Sequence, residues 1–579
     1  MKTAGALVAA HAQPQTAPSN GTVLPLTSTT DVLLPTPGRA FMKFSFDFPE
    51  PSVVYEGFRF AFRVFTFENV YTPDRSKLSV ESRDGSLTVS AAGLEWAGGQ
   101  EKAPGGITAA FRKTGPHVEC RVEARMNQPV KAASIIVRDI PRGRLSGGGT
   151  SFSDPRNDEV LFGYPFGAGD LFGPNSARGI PTPLVMIERG DGNFLALSCL
   201  DDRVRATRFY FQPGEKQYRT EVVCEAEGWQ KSNEIKSPAL RLTRGASVEE
   251  VARPHLEHIE RAYRLPAWET RADAPAWLRR TALVATLHGM HYSGYIFNDF
   301  AKMGRILDWM AGEIPPERVL VFLSAWDGRY YWDYPLYRPA PRLGGETGFQ
   351  ALIEQGRRRG FRLMPMFGAN AANRNQPVYA RIADAATARV DGEAFDLDWV
   401  DWDNDRHQDG WLSYMNLGVD SWRRWLAERI AETIERYRVD AYFLDIVGGW
   451  MNNPRADMHE GARRLVEELR RKYPQVAAIG EMHYDALLAF IPFYHVFSQQ
   501  AYPPLFEKFA RSFYHLSHPA PGRGSSGVHE FGFGRWNPQT LSLANDARIP
   551  TLNVVDDTFE KYRDQMQAVI GEAKRRAGI

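Results

Sequence analysis

A β-sandwich followed by a parallel (β/α)8 TIM barrel, together a multidomain chain of all-β plus α/β class, is the architecture that this sequence predicts. Three observations carry that expectation. At 579 residues the chain exceeds what one hydrophobic core normally serves. Up to about Leu242 its apolar residues alternate as they do in short strands separated by turns. After Pro266, apolar runs of strand length instead alternate with segments of helical period, which is how parallel strands joined by right-handed crossovers read. An open, doubly wound sheet is the alternative for that second half.

In chain order, residues 1–37 form a leader and linker. Met1-Lys2-Thr3, an apolar run over 4–10 and Ala10-His11-Ala12 are the parts of a secretory signal peptide, and 13–37 are rich in Pro, Thr, Ser and Gln. A periplasmic or extracellular location is therefore expected. Residues 38–245 read as the sandwich, with alternating strands at 41–48, 58–64 and 77–82 and further ones at 118–124, 134–137, 194–199 and 206–211. Arg83-Asp84-Gly85 and Arg189-Gly190-Asp191-Gly192 read as turns between them. Ser146-Gly147-Gly148-Gly149-Thr150 lacks the lysine and strand-to-helix context of a phosphate loop, so it reads as a turn as well. Residues 246–275 form a connecting segment whose stretch 246–263 has a helical apolar face of Val248, Val251, Leu256 and Ile259.

The barrel is expected over 276–579. Its strands are read at 280–291, 318–323, 362–367, 439–445, 475–480, 494–498, 526–529 and 551–555. Pro365 is an awkward residue inside the third, because it cannot donate to a ladder. Helices fall at 298–311 and 348–360, from Asp420 as a cap, through Ala462, Leu465, Val466 and Leu469, and at 560–576. The irregular excursion 368–418, dense in Asp, Asn and Trp, is expected to wall a cleft.

Composition narrows the partner. Seventy basic and 69 acidic side chains leave a net charge of +1, which argues against a polyanion such as nucleic acid. No run approaches the length of a membrane span. Three scattered cysteines, Cys120, Cys199 and Cys224, are too few for a disulfide framework or a zinc module. Aromatic residues, 12% of the chain and including 14 Trp, mostly serve packing, although some can stack on sugar faces.

The chemistry gathers at two strand ends. In Val439-Asp440-Ala441-Tyr442-Phe443-Leu444-Asp445 the side chains alternate, so Asp445 tops an otherwise apolar column of Val439, Ala441 and Phe443. The next strand, Gln475-Val476-Ala477-Ala478-Ile479-Gly480, ends the same way at Glu481. Neighbouring barrel strands lie about 4.8 Å apart, and function collects at their C-terminal ends, so the two carboxyls should face each other. A pair about 5–5.5 Å apart performs retaining glycoside hydrolysis, one acid attacking the anomeric carbon while the other protonates the departing oxygen.

These two segments resemble the fourth- and fifth-strand ends of retaining α-glycosidase barrels, the α-amylase, dextranase and endo-α-N-acetylgalactosaminidase families. The resemblance implies Asp445 as nucleophile, Glu481 as acid/base, α-linked oligo- or polysaccharide as substrate, and a sandwich preceding the barrel. The arginine that α-amylases carry two places before the nucleophile is replaced by Phe443, which points to a distant or separate family.

Six further polar or aromatic residues at strand ends are candidates for holding a sugar: Trp326, Asp327, Asn370, Trp450 as a stacking platform, His483 and Asp557. Each has a plainer reading as a packed loop residue or helix cap. No cofactor or metal is implied, and the oligomeric state is left open. Three other functions compete. A β-glycosidase arrangement would use Glu530, beside His529, as nucleophile, but it calls for Asn-Glu where Leu444-Asp445 stands. A metal-dependent hydrolase would draw on His288, His291, His483, His529 and Asp557, although an odd spacing on a strand turns His288 and His291 to opposite faces. The third is a carbohydrate-binding protein without catalysis.

Overall fold

The computed structural model describes residues 22–25, 31–34, 50–83, 85–96, 99–149, 152–155, 160–165, 178–291, 294–329, 331–393, 411–496, 504–514 and 548–579. The predicted strand 41–48 lies outside them.

The N-terminal part is two large sheets packed face to face. In the first, Ser52–Tyr55, Phe58–Thr66, Val130–Pro141, Gln217–Glu225, Thr207–Pro213 and Val160–Tyr164 run antiparallel in that spatial order. The second orders Gly143–Gly147, Leu184–Arg189, Phe194–Leu200, Ala239–Gly245, His117–Met126, Gly105–Thr114, Ser86–Ala91 and Leu78–Arg83. Alternation puts one face of each strand inside, so Phe60 of the first sheet meets Phe111 of the second edge-on at 5.0 Å. Gly148 and Gly149 adopt left-handed φ of 64° and 80° directly after a strand, so the glycine-rich stretch is a turn.

Helix Val248–Ala262 follows, with the Ser247 hydroxyl capping the amide of Glu250. Its Val251 packs on Leu184, Met186 and Ala196, so the connector lies against the second sheet.

The C-terminal part is a nearly closed parallel barrel, whose strands are labelled β1 (Leu283–His288), β2 (Val319–Ser324), β3 (Arg362–Gly368), β4 (Ala441–Asp445), β5 (Ala477–Glu481), β6 (Phe493–Val496), β7 (Arg511–Tyr514) and β8 (Thr551–Val554). Every neighbouring pair is parallel, β8 pairs with β1, and a bridge between Phe513 and Ile549 joins β7 to the approach of β8. Pro365 is accommodated within β3, opposite Leu323 of β2.

Helices Phe300–Glu313, Gly345–Arg359, Asp420–Tyr437, Met458–Lys472 and Arg563–Ala577 cover the outside. Three expectations need correction here. The seventh strand is Arg511–Tyr514 rather than 526–529, which lies outside the described residues. Phe513 belongs there because its ring fills the barrel against Phe493, His495 and Phe443. Asp420 is the first helical residue instead of the cap, its carboxylate taken by Arg423 and Arg424. The last helix is broken into Thr558–Lys561 and Arg563–Ala577. Among the described residues, no helix is long and apolar enough to cross a membrane.

Candidate active site

The floor of the site is aromatic. Phe322 of β2 and Phe443 of β4 meet at 4.4 Å inside the barrel, with the His495 ring of β6 5.4 Å from Phe443. Side chains on a strand repeat every second residue, so the position above Phe443 on the same face is Asp445. Leu444 pairs with Gly480 and Phe443 with Ile479, a register that sets Asp445 and Glu481 side by side at the tips of β4 and β5. Asp445 is 0% exposed and Glu481 4%.

Backbone beyond each tip is turned to serve these acids. Ile446 has φ 52° and Met482 φ 60°, left-handed values that cost a non-glycine residue about 1–3 kcal/mol, most of all a β-branched one. The turn at Ile446 aims its amide at Glu481, donating to Oε2 at 2.9 Å. Asn370 holds it in place, its Nδ2 donating to the Ile446 carbonyl at 2.8 Å, while the Gly448 amide donates to the Glu481 carbonyl at 3.0 Å. Gly448 must be glycine, because a Cβ there would stand 2.6 Å from the Met482 backbone.

Other partners complete the pair. Tyr331 donates its hydroxyl to Asp445 Oδ2 at 3.3 Å, and His495 Nδ1 lies 3.5 Å from Glu481 Oε1. Burial pushes the Glu481 carboxyl pKa up, against the opposing pull of hydrogen bonds from Asp445 and the Ile446 amide. Burial disfavours the charged form of a carboxyl, so Glu481 holds its proton more tightly than a free side chain does.

The candidate sugar-holding residues divide. Asp327 lies in the loop after β2, 8% exposed, with Oδ2 buried and unbonded. Burial, reinforced by the charge of Asp333, holds its carboxyl well above the usual range. The fields of Asp327 and Asp445 both raise the phenols of Tyr334 and Tyr337, which places the two acids around one tyrosine cluster. Asn370 keeps a buried, unbonded Oδ1 while its Nδ2 holds the loop after Asp445. Trp450, 2% exposed, presents no open face as a platform, yet its indole N–H is buried without a partner. His483 is buried against Tyr494 and Phe506, and burial drives its pKa down to about 3, so it is neutral.

Two candidates fall outside the cluster. Trp326 belongs to the core, stacked on Phe349 at 4.7 Å with its N–H given to the Met366 carbonyl, because left-handed Ala325 turns the chain inward there. Asp557 starts the helix Thr558–Lys561 and pairs with Lys561 at 2.5 Å. Glu530 and His529 lie outside the described residues. Sequence reading missed Tyr331, His495 and Tyr414, whose hydroxyl donates to the Gly449 carbonyl and accepts from Asn370 Nδ2 at 3.4 Å. Only His495 had a legible signal, a histidine on an apolar strand opposite Glu481.

A cavity of about 870 Å³ opens elsewhere, in the sandwich between Ser90, Thr108, Arg125 and Lys236. Its charges pair with one another, Arg125 with Glu234, Lys236 with Glu123 and Arg203 with Glu227, so it lacks the unmet polar groups of the barrel mouth.

No model of a known protein family matches the sequence, and no curated protein matches it. Solved structures do. The α-N-acetylgalactosaminidase NagBb from Bifidobacterium bifidum superposes with a TM-score of 0.63 at 12% identity, covering 96% of this chain and 93% of that one. The same enzyme in complex with Gal-NHAc-DNJ gives 0.59 at 13% identity, over 82% of this chain and 78% of that one. The α-galactosidase AgaA from Geobacillus stearothermophilus, bound to raffinose, gives 0.49 at 10% identity, over 89% and 76%. This chain has the NagBb fold. At this identity the likeness concerns the two-part architecture, sandwich then barrel, across nearly the whole of both chains.

Proposed function

We propose that the chain is a glycoside hydrolase that cleaves α-linked sugars with retention, Asp445 serving as nucleophile and Glu481 as acid/base. The observation that carries this reading is the pair of buried carboxyls on adjacent, register-matched strand tips above an apolar floor. Retaining pairs stand about 5–5.5 Å apart, whereas inverting pairs need about 6.5–9.5 Å to hold a water between them. Adjacent strand tips, about 4.8 Å apart, favour the short side of that division.

The steps follow from the geometry. A sugar entering between the acids replaces their shared hydrogen bond. An Asp445 oxygen attacks the anomeric carbon as the bond to the leaving oxygen breaks, and that oxygen takes the Glu481 proton. Glu481, now ionised, then takes a proton from water whose oxygen attacks the same carbon and breaks the Asp445 ester. Tyr331 orients the nucleophile, and the Ile446 amide steadies Glu481 as it becomes charged. Asp327, Asn370 Oδ1 and the Trp450 N–H offer unmet hydrogen bonds to ring substituents, with His483 beside the acid. Export to the periplasm or medium fits a polymeric glycan substrate.

The test is digestion of a panel of para-nitrophenyl α-glycosides, N-acetylgalactosaminide and galactoside included, with the first product's anomer read by NMR. Retained α-product that disappears in Asp445→Asn supports the assignment. Inverted first product, or an Asp445→Asn variant as active as wild type, refutes it.

A further inference from the structure

The strands that end in Asp445 and Glu481 are each followed by a loop that leaves the barrel and reaches the sandwich through one polar side chain. After β4 that side chain is Asn452. Its Nδ2 donates to Glu225 Oε2 at 2.9 Å and to the Ala226 carbonyl at 2.8 Å, while Oδ1 accepts from the Gly228 amide at 2.8 Å. The approach is close, since a Cβ on Gly228 would stand 2.9 Å from the Asn453 carbonyl.

After β5 the side chain is Asp485, 0% exposed. Tyr164 donates to its Oδ1 at 2.6 Å and Thr182 to its Oδ2 at 2.7 Å. The Ala486 amide adds a bond to Oδ1 at 2.8 Å, and the Asp485 amide donates to the Pro181 carbonyl at 2.8 Å. Thr182 Oγ1 also lies 2.6 Å from His255 Nε2 on the connecting helix, so sandwich, connector and barrel meet at one carboxyl. Between Glu481 and Asp485, the Tyr484 hydroxyl bonds His459 Nδ1 at 2.9 Å and its ring stands edge-on to Tyr164.

We infer that the N-terminal sandwich is a working part of the active site, and that Asn452 and Asp485 are positioning residues that set the two carboxyls through the loops following them. This rests on Asp445 and Glu481 being the catalytic pair. Neither residue reaches a substrate itself. Asp485 instead fixes the backbone that follows Glu481, where the left-handed Met482 gives no slack, and a displacement of about 1 Å in a reacting group can cost about a hundredfold in rate. Hydrophobic burial alone could attach a sandwich to a barrel. It would not require a carboxyl buried away from water and met by two hydroxyl donors, which is costly unless fully bonded.

The experiment measures kcat/KM on two α-glycosides of the same sugar, a dinitrophenyl glycoside, whose aglycone leaves without a proton, and a methyl glycoside, whose aglycone must be protonated. Glu481→Gln is the reference and should depress only the methyl glycoside. Asp485→Asn and the milder Tyr164→Phe should lower the methyl glycoside about tenfold or more while leaving the dinitrophenyl glycoside within about threefold of wild type, because general acid catalysis is worth about a hundredfold to ten-thousandfold. Asn452→Ala, on the nucleophile's loop, should lower both. If Asp485→Asn and Tyr164→Phe lower the two substrates equally, or neither, the sandwich serves attachment alone and the inference is wrong. If Glu481→Gln treats both substrates alike, the assignment of Glu481 as the acid falls first, and this inference with it.

Discussion

Buried charge is handled in opposite ways in the two halves of the molecule. Inside the sandwich, Glu221 is fully buried yet meets Arg63 at 3.3 Å and the Ser134 hydroxyl at 2.7 Å, and Glu95 is met by Arg75 and Lys102. At the barrel end, Asp327, Glu481 and Asp485 are buried as well, and burial is the foremost cause that raises all three. An ion pair favours the charged form of a carboxyl, whereas burial favours the protonated form. The comparison separates acids held in ion pairs from acids whose pKa burial raises.

The severest way to break that contrast is to remove the nucleophile. Asp445→Asn is expected to lose at least about a thousandfold in kcat while keeping or raising its melting temperature, since it relieves a buried carboxyl pair. Steady-state kinetics beside calorimetry checks both signs. In the sandwich the sign should reverse: Arg63→Met takes one guanidinium from Glu221 and Glu50, which keep Arg219 and Arg138, and is expected to cost about 1–3 kcal/mol by denaturant titration, with kcat/KM of the remaining folded protein unchanged.

Asp485 sharpens the contrast through pH. Burial pushes its pKa from 3.8 up to about 7, so the folded protein binds more protons than the unfolded chain between those values. Stability from this group is therefore fully present below about pH 4 and falls as pH rises through about 7, by up to about 4 kcal/mol. Asp485→Asn should lack that decline, so the difference in melting temperature between variant and wild type should shift in the variant's favour from pH 4 to pH 8. A flat difference would mean that burial does not raise the Asp485 pKa. The smallest effect concerns Asp327, whose buried carboxyl has an unmet oxygen. Asp327→Ala should weaken kcat/KM about tenfold to a hundredfold, the worth of one or two buried hydrogen bonds to a hydroxyl, with little change in the product's anomer.

Much of this was readable in the chain. The run ending at Asp445 had to be a buried strand because five consecutive positions are apolar or barrel-facing, and Glu481 repeated the pattern one crossover later. The alternating stretches of the sandwich were equally plain where they are described. Trp326 was misplaced because a strand-end tryptophan looks the same whether the next turn aims it at solvent or, through left-handed Ala325, into the core beside Phe349. Asp557 begins the short helix just after β8 and pairs with Lys561, a local role that a strand-end acid shares in composition with a binding residue.

The amino-acid order by itself determined the strand and helix periods, the two-part division, and the two acids that close neighbouring strands, because local periodicity and burial are written in consecutive residues. Only the tertiary structure decided which groups meet those acids. Tyr331 lies 114 positions from Asp445, and Tyr164 lies 321 from Asp485. Contacts at such separations arise from how the sheet closes and where the sandwich docks, and no pattern in adjacent residues encodes them.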